Sequence, residues 1–370
     1  MTNLRIPGPT PCPPEVLEAL GRQMINHRGP EYAELQRRVT QGLRPFFQTD
    51  NDIVIATCSG TGIMEAAVVN TLSPDDSVLA VSIGSFGDRF ASIAETYGAD
   101  VTRLSVEWGN AVAPDAVRDA LRGGDYRAVL ITHNETSTGV TNPLGPIADA
   151  IHAESDALIL VDAVSSLGCI SLPVDELGLD IVVTGSQKGW GVPPGLAMAA
   201  VGERAWAASE RATMPRFYLD LKKHQEYARN GQPPWTPAIS VLYGLDVSLS
   251  RMAEEGPEAI YARHDRIARH TRATVKAAGL DLFADERFAS STVTAVRVPE
   301  GVDGKALTAL LRDKYDTVLA GGQGKLAGQI VRIGHLGWVS QQDVDAALDA
   351  LRYALTELGF PAQTQAAART

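Results

Sequence analysis

One lysine, Lys188, stands apart from the other basic residues of the chain. It is the only lysine in the first 221 residues, where arginine supplies the remaining positive charge. It follows the apolar run IVVTG (181–185) and precedes a loop rich in glycine and proline. An amine at the end of a buried strand is partly desolvated, which lowers its pKa and favours the nucleophilic free amine. Such a lysine is suited to forming a Schiff base with a carbonyl compound, although an ordinary loop lysine would look the same.

A carboxylate, Asp162, lies near the end of another apolar run, LILVDA (158–163), 26 residues before Lys188. A bare carboxylate at the end of a buried strand is costly unless a partner holds it. Pyridoxal phosphate (PLP) acts as an electron sink only while its ring nitrogen is protonated, and a buried carboxylate maintains that proton. The sequence therefore predicts a flat PLP ring between Asp162 and Lys188 on neighbouring strand ends. An aspartate that caps a turn is the alternative interpretation of Asp162 alone.

The small-residue turn Ser59-Gly60-Thr61-Gly62 joins an apolar run (53–57) to a helical stretch (63–72). Exposed backbone N–H groups and the helix dipole at such a turn bind a phosphate dianion. The turn is not the GxGxxG motif of dinucleotide-binding proteins, and a plain tight turn would have the same composition. Because the chain also contains Lys188 and Asp162, we interpret this turn as a phosphate-binding turn.

The elements that must position these residues alternate along the first part of the chain. Runs of apolar and β-branched residues predict buried strands at 53–57, 78–82, 128–132, 158–163 and 181–185. Helical periodicity between them predicts helices at 63–72, 86–97, 113–122 and 145–154. This alternation predicts an α/β fold with a mainly parallel sheet covered by helices on both faces. Ligands of such sheets bind beyond the carboxyl ends of the strands, which is where the candidate residues lie.

The sequence changes in character after residue 255. Helices are predicted at 258–278, 303–314 and 341–357, with strands at 292–298 and 329–333. These elements indicate a separate α+β domain of about one hundred residues. We therefore expect an N-terminal arm, a large domain, a small C-terminal domain and a flexible tail, at residues 1–14, 15–255, 256–360 and 361–370.

Composition favours a globular protein without nucleic-acid or membrane partners. The 370 residues include 45% hydrophobic and 21% charged residues, and the net charge of −11 repels phosphate backbones. The chain has no run of 18 apolar residues that would span a membrane, and its proline-rich N-terminus does not resemble a signal peptide. Cys12, Cys58 and Cys169 are far apart and lack metal-ligand spacing, so we expect no metal site and a cytoplasmic location.

Four segments together resemble one enzyme family. TGSQKGWGVPPGLAMA, preceded by LDIVV, is similar to the lysine-containing signature of class V PLP-dependent aminotransferases. HNETSTGV, VDAVSSLG and VRIGHLG resemble segments of alanine–glyoxylate and serine–glyoxylate (serine–pyruvate) aminotransferases. The similarity extends from about residue 6 to about residue 355. The resemblance implies a fold-type I PLP-dependent transferase, whose large domain has a mainly parallel seven-stranded sheet and whose smaller C-terminal domain is α+β.

The resemblance also implies roles for individual residues. Lys188 would carry PLP as a Schiff base and then move a proton between the substrate Cα and the cofactor, while Asp162 holds the proton of the ring nitrogen. Phe86 occupies the position of the aromatic residue that stacks on the ring, and Thr136 that of the hydroxyl that binds its phenolic oxygen. Arg332 matches the arginine that binds the substrate α-carboxylate. The remaining cofactor contacts are expected from Gly60, Thr61, Gly62, Ile63, Gln187 and Thr236.

Thr236, in PPWTPAIS, matches a residue that reaches the phosphate across a subunit interface, so the resemblance implies a homodimer with shared active sites. Several members of the family have a tyrosine three residues earlier, where this chain has Pro233, and one phosphate contact is therefore in doubt. His27, Arg28 and His335 are candidates for the entrance of the site or for structural hydrogen bonds.

The expected reaction is a ping-pong transamination from a small amino acid, alanine or serine, to glyoxylate or pyruvate. Pyridoxamine–pyruvate aminotransferase shares GPEAIYARH and VRIGHLG but has an acidic turn where this chain has SGTG. Transaminases of 2-aminoethylphosphonate and ureidoglycine are further alternatives, whereas cysteine desulfurase is disfavoured because no cysteine follows Cys169. A nicotinamide or flavin oxidoreductase would require a GxGxxG motif after the first strand. A non-catalytic scaffold descended from an aminotransferase is another alternative, but such a protein would not need to keep every cofactor contact.

Overall fold

The computed structural model describes residues 2–360, so the tail predicted at 361–370 lies outside the described residues. The helices in this range are α1 (Pro14–Leu20), α2 (Pro30–Phe47), α3 (Gly60–Thr71), α4 (Ser85–Thr96), α5 (Pro114–Arg122), α6 (Leu144–Glu154), α7 (Glu203–Ser209), α8 (Leu221–Ala228), α9 (Ile239–Glu255), α10 (Pro257–Ala277), α11 (Gly304–Tyr315) and α12 (Gln341–Glu357). None of these helices is both long enough and apolar enough to cross a membrane.

The strands of the described range are mostly short. They are β1 (Asn3–Leu4), β2 (Asp52–Ala56), β3 (Ser77–Ser82), β4 (Asp100–Ser105), β5 (Ala128–Thr132), β6 (Asn134–Glu135), β7 (Val140–Thr141), β8 (Leu158–Asp162), β9 (Ile181–Gly185), β10 (Ala197–Val201), β11 (Val293–Arg297), β12 (Thr317–Val318), β13 (Ala320–Gly321) and β14 (Ile330–Gly334). All the strands and helices that the sequence predicted are present, with ends shifted by at most three residues.

A seven-stranded sheet forms the centre of the first part of the chain. Its strand order is β2-β10-β9-β8-β5-β3-β4, and β10 alone runs antiparallel to its neighbours. The prediction of an α/β fold with a mainly parallel seven-stranded sheet is therefore confirmed. The carboxyl ends of β5, β8 and β9 lie side by side, because Asp162 pairs with Thr132 on one side and with Val183 on the other.

Both faces of this sheet are buried, which explains the continuous apolar runs of its strands. Alternate residues of β3, such as Leu79 and Val81, pack in one core with helices α1, α2, α5, α6 and α9. The intervening residues Val78 and Ala80 pack in a second core with α3, α4 and α7. Helices on the two faces thus hold the sheet between them, and its carboxyl edge remains free for a site.

The C-terminal part has its own three-stranded antiparallel sheet, in the order β11-β14-β13, and a separate core that includes residues of α10, α11 and α12. The N-terminal arm lies against this C-terminal part of the chain, because β1 pairs with β12 and the Gly334 N–H donates to the Arg5 carbonyl at 2.7 Å. The approach is so close that a Cβ on Gly334 would lie 2.2 Å from the Ile6 carbonyl oxygen. The arm continues to the central sheet, where the Thr10 N–H donates to the Gln187 carbonyl at 3.0 Å.

Candidate active site

The turn between β2 and α3 was predicted to bind phosphate. Ser59 is the N-cap of α3, and its hydroxyl accepts a hydrogen bond from the Gly62 N–H at 3.3 Å. A Cβ on Gly60 would lie 3.0 Å from a Val164 methyl group, and one on Gly62 would lie 3.0 Å from the Cβ of Cys58. The helix begins at Gly60 rather than at residue 63, so the backbone from Gly60 to Ile63 forms its first turn. The turn thus has the geometry of an anion-binding helix terminus.

Gln187 lies beside this turn. A Cβ on Gly185 would be 3.0 Å from the Gln187 Oε1 atom and 3.5 Å from the Gly60 nitrogen, which shows how closely the two segments approach. The Oε1 atom is buried and has no hydrogen-bond partner within residues 2–360. Leaving a buried amide oxygen unpaired costs about 1–3 kcal/mol. We therefore interpret the space beside it as a place for a polar ligand.

Lys188 follows β9 as predicted, and the N-terminal arm covers it. Its Nζ donates a hydrogen bond to the Pro7 carbonyl. Gly8, with a φ of +105°, leaves room for the lysine, because a Cβ at this position would lie 2.8 Å from Nζ. Burial lowers the pKa of Lys188 to about 8, although the negative charge of Asp162 opposes the change. About a tenth of this amine is therefore unprotonated, and hence nucleophilic, at pH 7, far more than for a lysine with the ordinary pKa.

Asp162 is the last residue of β8, and its side chain is buried. Its Oδ1 accepts a hydrogen bond from the Val164 N–H at 2.9 Å, whereas among residues 2–360 Oδ2 has only a long contact of 3.5 Å with the Thr132 hydroxyl. Burial raises the pKa of Asp162 to about 6, and the nearby positive charge of Lys188 acts in the opposite direction. The carboxylate therefore has one oxygen that is free to hold a proton of a cationic ligand.

Phe86, the predicted stacking residue, lies in the first turn of α4. A buried carboxylate, Glu135, holds its backbone: Oε2 accepts hydrogen bonds from the N–H groups of Phe86 at 2.9 Å and Gly87 at 3.1 Å. The other oxygen accepts from the N–H and the hydroxyl of Ser137 at 3.0 and 2.6 Å. Gly84 allows this contact, because a Cβ there would lie 2.4 Å from the Glu135 Cγ. Glu135 therefore fixes the position of the Phe86 backbone.

Arg332, on β14, is 5% exposed and is held by backbone carbonyl groups. Its Nε donates to Gly321 at 3.0 Å, and its Nη1 donates to Thr136 at 3.0 Å. Within residues 2–360 no carboxylate oxygen lies within 4.0 Å of the guanidinium, whose hydrogen bonds go to backbone carbonyl groups. Burial lowers the pKa of Arg332 to about 10, although the charge of Glu135 opposes the change, and the charge of Arg332 in turn lowers the pKa of Lys188. The site therefore contains a buried cation that is free to bind an anion.

Comparisons with known proteins show the family to which the chain belongs. The family profile described as Aminotransferase class-V matches residues 3–346. The chain is a class V aminotransferase. This aminotransferase is 46% identical over 360 residues to a protein named soluble hydrogenase, small subunit, from a Synechococcus strain, with 96% of this chain and 94% of the relative covered. It is 38% identical to an L-aspartate–glyoxylate aminotransferase from Paracoccus denitrificans, over 97% and 92% of the two chains.

Among solved structures, the aminotransferase is similar to an alanine–glyoxylate aminotransferase from a Nostoc species. The TM-score is 0.92 at 31% identity, and the match covers 96% of this chain and 95% of the other. The fold is thus that of fold-type I PLP-dependent aminotransferases, and the family uses PLP as its cofactor.

The residues of the aminotransferase fit PLP on three separate grounds. A partly deprotonated amine, Lys188, and a buried carboxylate with a free oxygen, Asp162, lie close enough that each shifts the pKa of the other. The glycine-lined helix terminus at residues 60–63 suits a phosphate group. The unpartnered oxygen of Gln187 indicates that the site is built for a polar molecule.

Other predicted residues of the aminotransferase lie outside this group of contacts. Thr236 is exposed, on the loop before α9, and its neighbour Trp235 donates from Nε1 to the Tyr218 carbonyl at 3.0 Å. His335 is fully buried and contacts the Thr294 hydroxyl at 2.9 Å, so the structural interpretation applies to it rather than the entrance. Arg28 is exposed and donates from Nη1 to the Gln232 side chain at 3.1 Å.

Two residues of the aminotransferase site were missed from the sequence. Glu135 lies within HNETSTGV, one residue before Thr136, and a carboxylate inside an otherwise uncharged segment is the signal that could have identified it. Pro7 contributes its backbone carbonyl to Lys188, and a main-chain contact leaves no trace in residue type. Gly8, which allows that contact with its positive φ, was the indirect signal.

Proposed function

We propose that this class V aminotransferase transfers the amino group of a small α-amino acid, alanine or serine, to glyoxylate or pyruvate in a ping-pong reaction. The observation that carries the proposal is the unpaired guanidinium of Arg332. A buried arginine that has no carboxylate oxygen within 4.0 Å in the described part of the chain is suited to bind a carboxylate through two parallel hydrogen bonds. Amino acids and 2-oxo acids both present an α-carboxylate, so one arginine serves both halves of the reaction.

The other residues of the site have separate tasks in this proposal. When bound, PLP supplies an electron sink and carries the amino group between the two half-reactions. Asp162 would hold a proton on the ring nitrogen with its free oxygen. The Lys188 amine would hold the cofactor covalently and would act as the base that takes the proton from the substrate Cα. Arg332 orients the substrate so that the Cα–H bond points towards this amine.

The names of the related proteins support the acceptor more than the donor. Glyoxylate occurs in the names of both the Paracoccus relative and the Nostoc structure, whereas their donors are aspartate and alanine. We favour alanine or serine because Arg332 is the cation that the described chain buries beside Lys188, whereas Arg89, whose charge also acts on Lys188, is exposed and reaches the predicted phosphate-binding turn. The second carboxylate of aspartate would require a further buried cation. Aspartate is therefore the informative competitor in a donor assay.

A panel of half-reactions tests the proposal. Alanine, serine, aspartate, 2-aminoethylphosphonate and pyridoxamine would each be mixed with the PLP form, and the change in the cofactor absorbance recorded. Alanine or serine is expected to react with the largest kcat/KM. The proposed donor would be wrong if aspartate, aminoethylphosphonate or pyridoxamine reacted fastest.

Arg332→Ala is expected to reduce kcat/KM for alanine and serine by about 10²- to 10³-fold, because a buried ion pair loses one partner. The affinity for PLP should change by less than about threefold, since Arg332 does not contact the predicted phosphate-binding turn. Stopped-flow absorbance measures the first quantity and equilibrium dialysis of PLP the second. Arg332→Lys keeps the charge but loses the planar fork, so it should recover only part of the rate. Equal losses of rate and cofactor affinity would contradict the assigned role.

Pyridoxamine–pyruvate transamination is the second candidate within the family. It uses free pyridoxamine as a substrate, whereas the neutral, glycine-lined turn at residues 60–63 favours a phosphorylated cofactor that stays bound.

We also propose that the chain is divided into a large domain (15–255) and a small domain (256–360), and that the protein is cytoplasmic.

We propose further that two copies of the chain form a homodimer with shared sites. Phe217 and Tyr218 are 67% and 44% exposed and stack against Trp235, the residue before Thr236, with ring centroids 4.9 and 6.2 Å apart. An exposed aromatic cluster of this kind is typical of a protein interface. Its position next to Thr236 supports the expectation that this threonine completes the phosphate site of the other copy.

Mixing two inactive variants tests the shared site. Lys188→Ala and Thr236→Glu should each be inactive alone, the second because a carboxylate would repel the phosphate. After unfolding and refolding together, the mixture should regain about a quarter of the wild-type activity, since half the dimers would contain one intact site. Variants refolded separately and then assayed together provide the control. A mixture that stays inactive would indicate that Thr236 serves its own chain.

A further inference from the structure

Arg89, one turn into α4, reaches towards the predicted phosphate-binding turn. Its Nη1 donates a hydrogen bond to the Thr61 hydroxyl at 3.3 Å. Its guanidinium carbon also lies 4.7 Å from the centre of the Phe86 ring. The side chain thus connects a residue of the phosphate-binding turn with the predicted stacking residue, which lie on two different helices.

The charge of Arg89 is not used elsewhere in the described part of the chain. No carboxylate oxygen of residues 2–360 lies within 4.0 Å of it, although Asp88 is its neighbour in sequence. Asp88 instead contacts the Ser82 hydroxyl at 2.7 Å and Arg103 at 3.4 Å. The charge of Arg89 does act on the site, because it lowers the pKa of both Asp162 and Lys188. Arg89 therefore faces the cofactor site as an unpaired cation.

Apart from Lys188, the residues that the sequence predicts to line the phosphate site within the described chain carry no positive charge. Gly60, Thr61, Gly62 and Gln187 offer only neutral donors, and the amine of Lys188 is occupied once it holds the cofactor. The helix terminus supplies about half a positive charge, whereas a phosphate carries up to two negative charges. A guanidinium that already reaches Thr61 is placed to supply the missing charge through charge-assisted hydrogen bonds.

We propose that Arg89 is the cationic ligand of the cofactor phosphate and closes the phosphate site from the side of α4. The proposal rests on the proposed binding of the phosphate at residues 60–63. Since PLP and pyridoxal differ in the phosphate alone, Arg89 should affect the binding of one and not the other. The Lys188 and Asp162 contacts are common to both compounds.

The test compares the dissociation constants of PLP and pyridoxal for the cofactor-free full-length protein, measured by quenching of tryptophan fluorescence. Arg89→Met keeps the apolar stem over Phe86 and removes the charge. It is expected to weaken PLP binding by about ten- to a hundredfold, because a charge-assisted hydrogen bond to the phosphate is lost. Pyridoxal binding should change by less than about threefold. Arg89→Lys should recover part of the loss.

Arg103→Met provides a matched control, because Arg103 lies beside α4 but pairs with Glu95 at 2.8 Å rather than with the phosphate-binding turn. This variant should bind PLP like the wild type. If Arg89→Met weakened PLP and pyridoxal equally, or changed neither, the proposal for Arg89 would be wrong. If the wild type itself bound PLP and pyridoxal equally, the proposed phosphate site at residues 60–63 would be wrong, and the proposal for Arg89 would be wrong with it.

Discussion

Lys188→Ala is expected to abolish the covalent attachment of PLP and to slow the reaction of alanine by at least about 10²- to 10⁴-fold, the range typical of losing a positioned proton carrier. The physical reason is that Lys188 supplies both the nucleophilic amine and the base beside the substrate Cα. The variant should still bind PLP without a covalent bond, through the helix terminus at residues 60–63. Its absorbance should therefore be that of the free aldehyde, and its single-turnover rate is measured by stopped-flow spectroscopy.

The reactivity of Lys188 should also depend on pH in a defined direction. Its pKa is lowered to about 8 by burial, and only the unprotonated amine attacks an aldehyde. The rate of PLP attachment to the cofactor-free protein should therefore rise as pH increases through about 8 and then level off. Lys222→Ala is a suitable control for Lys188→Ala, because Lys222 is only partly buried and pairs with Glu210. Normal turnover of the Lys188→Ala variant would contradict the role of Lys188 as the amine that holds the cofactor and as the base beside the substrate Cα.

Asp162→Asn is expected to reduce the rate of the amino-acid half-reaction by about 10²- to 10³-fold, the loss typical of removing one preorganised electrostatic contact. Asparagine keeps the shape of the side chain and can accept the hydrogen bond from the Val164 N–H. It cannot hold a proton on the ring nitrogen, so the cofactor becomes a weaker electron sink. Stopped-flow absorbance with alanine as the donor measures the effect.

An N-methylated PLP analogue separates this role from a merely structural one. The methyl group gives the ring a permanent positive charge, so the carboxylate is no longer needed to maintain a proton. The ratio of rates with the analogue and with PLP should thus be much larger for Asp162→Asn than for the wild type. If the analogue failed to raise the relative rate of the variant, Asp162 would only support the fold.

The strands that carry the site could be predicted because their burial leaves a clear pattern. The runs ending at Thr132, Asp162 and Gly185 are continuously apolar, since both faces of the sheet are covered. Two further strands of the central sheet were not predicted individually. β4 (Asp100–Ser105) lies at an edge and is largely exposed and polar, and β10 (Ala197–Val201) consists mainly of alanine, which has little preference for strands.

The candidate site shows a similar division between what residue type reveals and what it does not. Lys188 could be singled out as the only lysine of the first 221 residues, after a buried strand, and Asp162 as a carboxylate at the end of an apolar run. Arg332 was expected from the resemblance of VRIGHLG to a segment of the family. The contacts that hold them could not be predicted, because they involve backbone atoms: the Pro7 carbonyl for Lys188 and the Thr136 carbonyl for Arg332. Such contacts depend on how distant segments meet, and this is determined by tertiary packing rather than by local sequence.

Borohydride reduction of the PLP-loaded protein, followed by proteolysis and mass spectrometry, tests the central claim most directly. Reduction converts a Schiff base into a stable amine, so the cofactor remains on the residue that held it. The pyridoxyl group is expected on the peptide that contains Lys188, and prior incubation with alanine should prevent the labelling. Labelling of another lysine, or none at all, would contradict the assignment of Lys188 as the Schiff-base lysine.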